Sequence, residues 1–202
     1  MNDLIATFIF FFAVIDPIGT IPVYIAVTGR YEERIKRKIA FQAALISAGI
    51  LLFFVVAGEV ILTAIDIPLS AFQIAGGIVL FLFALTMIFG DSKPEEEVKM
   101  IKSGSETAIF PLAVPSIASP GAMLAAVLLT ENNRYNLLEQ AQTTAIMLFV
   151  LLIAMVFMLA ASWVHRLIGN SGASIISRVM GLILASVAVA NVLEGIKAYF
   201  AL

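Results

Sequence analysis

The sequence predicts an all-α integral membrane protein of six transmembrane helices, arranged as two inverted three-helix repeats in which helices one and four are broken. Three observations predict this class. The 202 residues are 61% hydrophobic and 13% charged, with a mean hydropathy of +1.05, which is more apolar surface than a soluble domain of this size can bury. The apolar residues fall into long runs. Two of these runs carry prolines at matching places.

Each long apolar run is of the length that crosses a bilayer. A hydrocarbon core of about 30 Å requires roughly 20 residues of helix. The first run lacks the basic start and the small-residue cleavage site of a signal peptide, so we expect it to be retained as helix one. The predicted spans are Leu4 to Val27, Ile39 to Leu62, Ala71 to Phe89, Ala108 to Thr130, Ala141 to Ile168 and Ser174 to Leu202.

A charged connection divides the chain into two halves. Residues 1–90 are the first predicted three-helix repeat, 91–107 a charged linker, and 108–202 the second, inverted repeat. Of the twelve Lys and Arg residues, only Arg134 and Lys197 lie on the side of the membrane opposite the linker. Because short cytoplasmic loops are enriched in Lys and Arg, we predict that the linker is cytoplasmic and that both termini are extracytoplasmic.

Weak internal symmetry accompanies this topology, as an inverted repeat requires. The pair Asp16-Pro17 in helix one matches Ser119-Pro120 in helix four at an offset of 103 residues. The stretch that begins at Gln73 in helix three matches the stretch that begins at Arg178 in helix six at an offset of 105. Nearly equal offsets from separate matches favour one duplication.

Prolines interrupt the first helix of each half. They remove backbone hydrogen bonds and clash with the preceding turn, so neither helix is expected to be continuous. Pro22 leaves two interpretations open, because it lies five residues after Pro17: the second half-helix starts at Pro17, or the stretch from Asp16 to Pro22 is unwound or re-entrant. The interrupting residues are Pro17 and Pro22 in helix one and Pro111, Pro115 and Pro120 in helix four.

The two breaks predict a binding site near the middle of the membrane. Asp or Ser directly before Pro is typical of a helix start, and helix starts present unpaired N–H groups that suit an anion such as a solute carboxylate. Irregular backbone at this depth is tolerated when it is buried in protein or lines a wet cavity. The predicted binding residues are Asp16, Pro17, Gly19, Thr20, Ser116, Ser119, Pro120, Gly121 and Asn191.

Alternative roles are open for several of these residues. Asp16 is the carboxylate placed deepest in a span, where it is either a proton, Na⁺ or ammonium site or a structural cap for its own half-helix. The hydroxyl residues either bind solute or satisfy freed backbone groups. Gly76, Gly77 and Gly181 are interpreted as helix-packing positions. His165 is interpreted as a solvated residue at the cytoplasmic end of helix five.

Composition excludes several other classes of function. A net charge of −2 and a pI near 5.4 give no basic surface for nucleic acid. The chain has no cysteine and one histidine, and no close pair of deep carboxylates is predicted, so we expect neither an enzyme nor a metal centre. No cofactor is expected beyond a coupling ion, H⁺ or Na⁺.

The proline motifs resemble those of the MarC family. The resemblance is carried by the run from Phe12 to Pro22, by Phe110 to Pro115 leading to Ser119-Pro120-Gly121, and by the Gly-rich third helix ending in Phe89. It extends over essentially the whole chain. One departure is Ser119, where Gly is expected in many relatives. The resemblance implies a six-helix, multi-pass protein of the prokaryotic inner membrane, in a family that is also grouped as neutral amino-acid transporters.

The first functional hypothesis is therefore a secondary transporter of small neutral amino acids such as glycine and alanine. The carboxylate of a zwitterion would meet the helix starts, and its ammonium would meet Asp16. Two alternatives are a channel or efflux protein for another small solute and a non-transporting partner subunit. The expected surroundings are the lipid bilayer and the solute, and association into a homo-oligomer is left open.

Overall fold

The computed structural model describes residues 4–29, 31–89, 108–132 and 134–200, and in these ranges the chain is helical without any strand. The predicted linker, 91–107, lies outside the described residues. The eight described helices are α1 Leu4–Ile15, α2 Thr20–Thr28, α3 Glu33–Ala64, α4 Leu69–Phe89, α5 Ala108–Ile117, α6 Pro120–Leu128, α7 Leu137–Leu159 and α8 Ala161–Tyr199.

Five segments of the described chain are long and apolar enough to cross a membrane. They are Leu4–Thr28, Glu33–Ala64, Leu69–Phe89, Leu137–Leu159 and Ser174–Tyr199, and they correspond to the predicted spans one, two, three, five and six. The predicted fourth span consists of two short helices, α5 and α6, and is not among the five. Its crossing of the membrane stays a prediction.

The predicted fifth span, Ala141 to Ile168, was wrong at its end. Helix α7 stops at Leu159, and residues 161–168 form the first part of α8. Gly169 then interrupts α8 with a φ of 68°, a conformation that glycine adopts at little cost. The apolar run therefore continues through a bend at Ala160, which no proline or glycine marks in the sequence.

The broken first helix lies at the centre of the protein. In the apolar part of Leu4–Thr28, 56% of the residues are buried, against 17% to 33% in the other four segments. Phe11, Val14 and Ile15 are fully buried, whereas large apolar side chains of α3 such as Val56 are exposed. The outer helices thus present the apolar surface that lipid covers.

Helices from the two halves pack against one another in exchanged pairs. Helices α1 and α2 pack on α7, while α5 and α6 pack on α3. Helix α2 also contacts α8, and α6 correspondingly contacts α4. Further cross-half contacts join α3 with α7, α4 with α8, α1 with α6, α1 with α8 and α2 with α5. Each broken helix is therefore held by unbroken helices of the opposite half.

Helices α4 and α8 approach closely through two glycines with matching surroundings. A Cβ atom added at Gly77 would lie 3.0 Å from the carbonyl oxygen of Ala188. A Cβ atom added at Gly181 would lie 3.1 Å from the carbonyl oxygen of Ala84. Gly181 follows Gly77 by 104 residues, and Ala188 follows Ala84 by the same number. This offset lies between the offsets of 103 and 105 in the two sequence matches. The glycine positions allow backbone to approach backbone.

Candidate functional site

The break between α1 and α2 is organised by Asp16. Its backbone has a φ of 48°, and its side chain is 1% exposed. The carboxylate oxygen Oδ1 accepts a hydrogen bond of 3.0 Å from the amide of Gly19. The hydroxyl of Thr20 donates to the Asp16 carbonyl oxygen at 3.0 Å. Asp16 thus closes the turn that precedes α2. The N-cap of α2 is Gly19, so Asp16 is not the helix cap that the sequence left open.

Helix α2 begins at Thr20, three residues later than the Asp16-Pro17 pair predicts. Neither interpretation of Pro22 holds in full: the unwound stretch covers residues 16–19 alone, and Thr20 to Pro22, which the second interpretation included, form the first turn of α2. This start places Pro22 in the first turn of α2, where a missing N–H is tolerated. A helix from Pro17 would have placed Pro22 in its interior, against the carbonyl of Ile18.

The break between α5 and α6 is organised by Ser119. Its hydroxyl accepts a hydrogen bond of 3.1 Å from the amide of Ala122, and Pro120 follows at the start of α6. This is the capping arrangement that the Ser119-Pro120 pair predicts. Within α5, Phe110 and Val114 have extended backbone, the conformation that a following proline favours.

The two breaks are in direct contact. Ser119 donates through its hydroxyl to the carbonyl oxygen of Val14 at 2.7 Å. The hydroxyls of Thr20 and Ser116 are 3.2 Å apart and share a hydrogen bond. Residues that are about a hundred positions apart in sequence therefore meet where both helices are interrupted.

A third element, α8, completes the site. The hydroxyl of Ser177 donates to the Asp16 carboxylate oxygen Oδ2 at 3.1 Å. The crossing is defined here as Asp16, Thr20, Ser116, Ser119 and Ser177, all of which are at most 2% exposed. Ser177 was missed from the sequence, because a serine in an apolar run carries no signal of its partner. The crossing is closed to solvent in this conformation.

The other predicted binding residues have different surroundings. Pro17 and Gly19 are buried within the turn, and a Cβ atom added at Gly19 would lie 2.7 Å from the hydroxyl oxygen of Ser177. Gly121 is buried, and a Cβ atom added there would lie 2.6 Å from a methyl of Leu80, whereas Pro120 is exposed. Asn191 is half-buried on α8, about 21 Å along the helix from Ser177 at 1.5 Å per residue.

The crossing offers hydrogen-bonding groups but no preformed metal site. Within the described ranges, no group of three His, Asp or Glu residues could hold a metal ion. One carboxylate, four hydroxyls and the amides at two helix starts lie together in an apolar surrounding. Such groups can bind a small polar or zwitterionic molecule once the closed packing opens.

A second polar cluster lies where α3 ends and α7 begins. The Glu59 carboxylate accepts hydrogen bonds from the backbone amide and the side-chain amide of Asn132, at 2.9 and 2.8 Å. Arg134 forms a 3.0 Å ion pair with Glu194 of α8. Burial, followed by the nearby Glu59 carboxylate, raises the pKa of Glu131. This cluster ties the connection before α7 to the ends of α3 and α8.

The fold and the crossing define a multi-pass integral membrane protein with interrupted helices at its centre. Residues 1–200 match the family described as MarC family integral membrane proteins. The chain belongs to this family, as the resemblance in its proline motifs predicted.

Relatives from bacteria and archaea match along nearly their whole length. Inner membrane protein YhgN of Escherichia coli (strain K12) is 32% identical over 201 residues, which cover 98% of each chain. A membrane protein of Methanocaldococcus jannaschii is 33% identical over 200 residues, covering 98% of this chain and 97% of the relative. A membrane protein of Buchnera aphidicola subsp. Baizongia pistaciae is 30% identical over 200 residues, covering 99% of each. No solved structure matches the chain.

Proposed function

We propose that the protein is a secondary transporter of small neutral amino acids and that it binds its solute at the crossing. The observation that carries this proposal is the buried carboxylate of Asp16. It lies at an interruption of a membrane-spanning segment, within hydrogen-bonding distance of Ser177 on another span. Ionisable groups in such places are costly and typically belong to ion or solute paths.

The chemistry of the crossing suits a zwitterion. An ammonium group can take the place of the Ser177 hydroxyl at Asp16, because both are donors to the same carboxylate oxygen. A solute carboxylate can accept hydrogen bonds from the backbone amides at the starts of α2 and α6. At present the Gly19 amide donates to the Asp16 carboxylate, and the Ala122 amide donates to the Ser119 hydroxyl. Solute binding on this proposal exchanges internal hydrogen bonds for bonds to the solute, so the crossing must open.

Alternating access is typical of inverted repeats, and the exchanged packing supports a two-fold relationship between the two halves. On this proposal residues 1–90 and 108–202 are inverted repeats, related by an axis that passes between Gly77 and Gly181. The equal offsets of the two glycine contacts support that relationship. The Lys and Arg distribution supports a cytoplasmic linker and extracytoplasmic termini, and the similarity to inner membrane protein YhgN supports placement in the inner membrane.

Coupling to an ion is part of the same proposal. Asp16 is the group that would carry H⁺ or coordinate Na⁺, with Thr20, Ser116 and Ser177 as neighbouring oxygen donors. No enzymatic step is proposed. The neutral amino-acid cargo rests on the family resemblance and on the zwitterion chemistry together.

Counterflow into proteoliposomes tests the proposal. Vesicles preloaded with glycine, alanine or serine are given the labelled amino acid, and the intact protein is compared with Asp16→Asn. Asn tolerates the positive φ of this position and can still accept from Gly19, so the substitution removes the charge with little change in the fold. Asp66→Asn is the matched control, because Asp66 is an exposed aspartate with a φ of 58°.

We expect saturable exchange that is lost in folded Asp16→Asn and retained in Asp66→Asn. Absence of exchange for all three amino acids under both H⁺ and Na⁺ gradients would contradict the cargo. Flux that does not saturate would indicate a channel in place of a carrier. Exchange that survives Asp16→Asn would leave Asp16 with a structural role in the turn before α2 alone.

A further inference from the structure

We propose that a small cavity between α2 and the interruption of α8 at Gly169 is a water-binding site in which His165 is the polar side chain. We further propose that this water lies next to the crossing on the path of the transported solute. The path assignment rests on the proposed function, while the water site stands on geometry alone. Neither is implied by the capping contacts described above.

The first observation is an unsatisfied nitrogen. The Nδ1 atom of His165 is buried and has no hydrogen-bond partner within the described part of the chain. Buried polar atoms in native proteins are nearly always paired with protein or with ordered water, because an unpaired one costs free energy. His165 as a whole is half-buried, which does not contradict the interface position expected from the sequence, while its Nδ1 atom is shut off from solvent.

The second observation is space beside that residue. A cavity of about 10 Å³ is lined by His165 and by a ring of apolar or backbone positions, and this volume is close to the minimum that holds one water molecule. His165 is the one titratable residue of the lining. The other lining residues are Ile18, Ile21, Pro22, Val164, Ile168 and Gly169.

A bound water requires a second polar partner, and Pro22 leaves one available. In a regular helix the carbonyl of Ile18 would accept from the amide of residue 22, but proline has no N–H. The Ile18 oxygen instead accepts from Ile21 at 3.1 Å. A carbonyl has two lone pairs, so one remains for a water that also bonds to His165.

The position of the cavity connects it to the crossing. Ile18 belongs to the unwound stretch that starts at Asp16. Helix α8 contacts this stretch on both sides of the interruption at Gly169. Before it, His165 lines the cavity together with Ile18; after it, Ser177 donates to Asp16. A water between Ile18 and His165 therefore lies against the stretch of residues 16–19, whose first residue is Asp16.

The single histidine makes a direct test possible. Protein produced with ¹⁵N-histidine and without a polyhistidine tag carries the label at His165 alone, so proton-detected NMR in nanodiscs reads one side chain. We expect a cross-peak between Nδ1 and exchangeable water that disappears in D₂O. A Nδ1 signal with no water contact would overturn the water site.

Two substitutions test the path assignment. His165→Asn keeps a hydrogen-bonding atom near the place of Nδ1, whereas His165→Leu fills the cavity with apolar atoms. We expect counterflow to be retained in His165→Asn and reduced about tenfold in folded His165→Leu, the factor that corresponds to one lost hydrogen bond. Equal flux in both variants would overturn the path assignment. If the intact protein moves no amino acid, the proposed function fails while the NMR result still decides the water site.

Discussion

Asp16 and Ser177 are 161 residues apart in the chain and are joined by a 3.1 Å hydrogen bond at the interruption of the first helix. The Asp16 carboxylate uses both of its oxygens, since Oδ1 accepts from the Gly19 amide. The first half of the protein is thereby fastened to the last helix of the second half at a fully buried polar contact. This bond is expected to contribute to stability as well as to the site.

Replacing Ser177 by Ala removes one donor to a buried carboxylate. We expect a loss of about 1–3 kcal/mol in the free energy of unfolding, because a hydrogen bond to a buried carboxylate is lost. Ser186→Ala is the matched control on the same helix, since Ser186 is exposed and donates only to Leu182 of its own turn. Thermal unfolding in detergent micelles measures both, and equal effects of the two substitutions would show that the long-range bond is unimportant.

Replacing Gly19 by Ala inserts a methyl group into the crossing. The added Cβ would press on the Asp16 carboxylate and lie 2.7 Å from the Ser177 hydroxyl oxygen, so the two partners must separate. We expect destabilisation of more than about 2 kcal/mol. Gly49→Ala is the control, because Gly49 lies in α3 with nothing near its Cβ position and should gain about 0.5–1 kcal/mol from helix propensity. An unchanged melting temperature for Gly19→Ala would contradict the packing of the crossing.

The glycines of α4 differ in whether a second substitution can relieve the clash of an added methyl group. At Gly76 the nearest atoms belong to the Leu124 side chain, whereas at Gly77 they include the carbonyl oxygen of Ala188 at 3.0 Å. We expect Gly76→Ala to be partly rescued by Leu124→Ala, with a coupling of about 1 kcal/mol or more. Gly77→Ala should not be rescued by Val192→Ala, because the contact with the Ala188 carbonyl oxygen remains and no side-chain substitution removes it. Double-mutant cycles measured by thermal unfolding distinguish the two cases.

Glu131 gives a pH-dependent prediction. Burial and the Glu59 carboxylate raise its pKa above the ordinary 4.5, so the folded state binds the proton more tightly than the unfolded state. Ionisation of Glu131 therefore opposes folding, and its cost develops as the pH rises above 4.5. We expect Glu131→Gln to be more stable than the intact protein at pH 7, by less than about 1 kcal/mol because the group is largely solvated.

The stabilisation by Glu131→Gln should vanish at pH 4 and shrink in a Glu59→Gln background. Unfolding measured at pH 4 and pH 7 in the four variants of this cycle tests both statements. A Glu131→Gln variant that is less stable than the intact protein at pH 7 would contradict the assigned direction.

The interruptions and one cap could be predicted from the sequence because proline and capping chemistry act locally. Ser119 before Pro120 has only one favourable arrangement at a helix start, and the structure contains it. The start of α2 was less predictable. Asp16-Pro17 is also typical of a helix start, but a helix that began there would have Pro22 in its interior. The helix starts at Thr20, after a turn in which the Gly19 amide donates to the Asp16 carboxylate.

Contacts between distant segments could not be predicted in this way. Ser177 is one of several serines in α8, and its selection by Asp16 follows from how α8 packs against the α1 and α2 turn. The bend after α7 was missed because Ala160 and its neighbours form an unbroken apolar run. His165 was interpreted as an interface residue from its neighbour Arg166, and the burial of its Nδ1 atom has no signal in the sequence.

The lengths of the outer helices determine which membranes suit this protein. Helix α3 has 32 residues and α4 has 21, which correspond to about 48 and 32 Å at 1.5 Å per residue. The first six residues of α3 are mostly charged, and its remaining residues 39–64 span about 39 Å. This part is longer than a hydrocarbon core of about 30 Å, so α3 can follow changes in acyl-chain length by tilting, while α4 has almost no length in reserve. Helix α4 therefore sets the thickest lipid bilayer that the protein spans without mismatch, and reconstitution in lipids with long acyl chains strains α4 and the α8 helix packed against it.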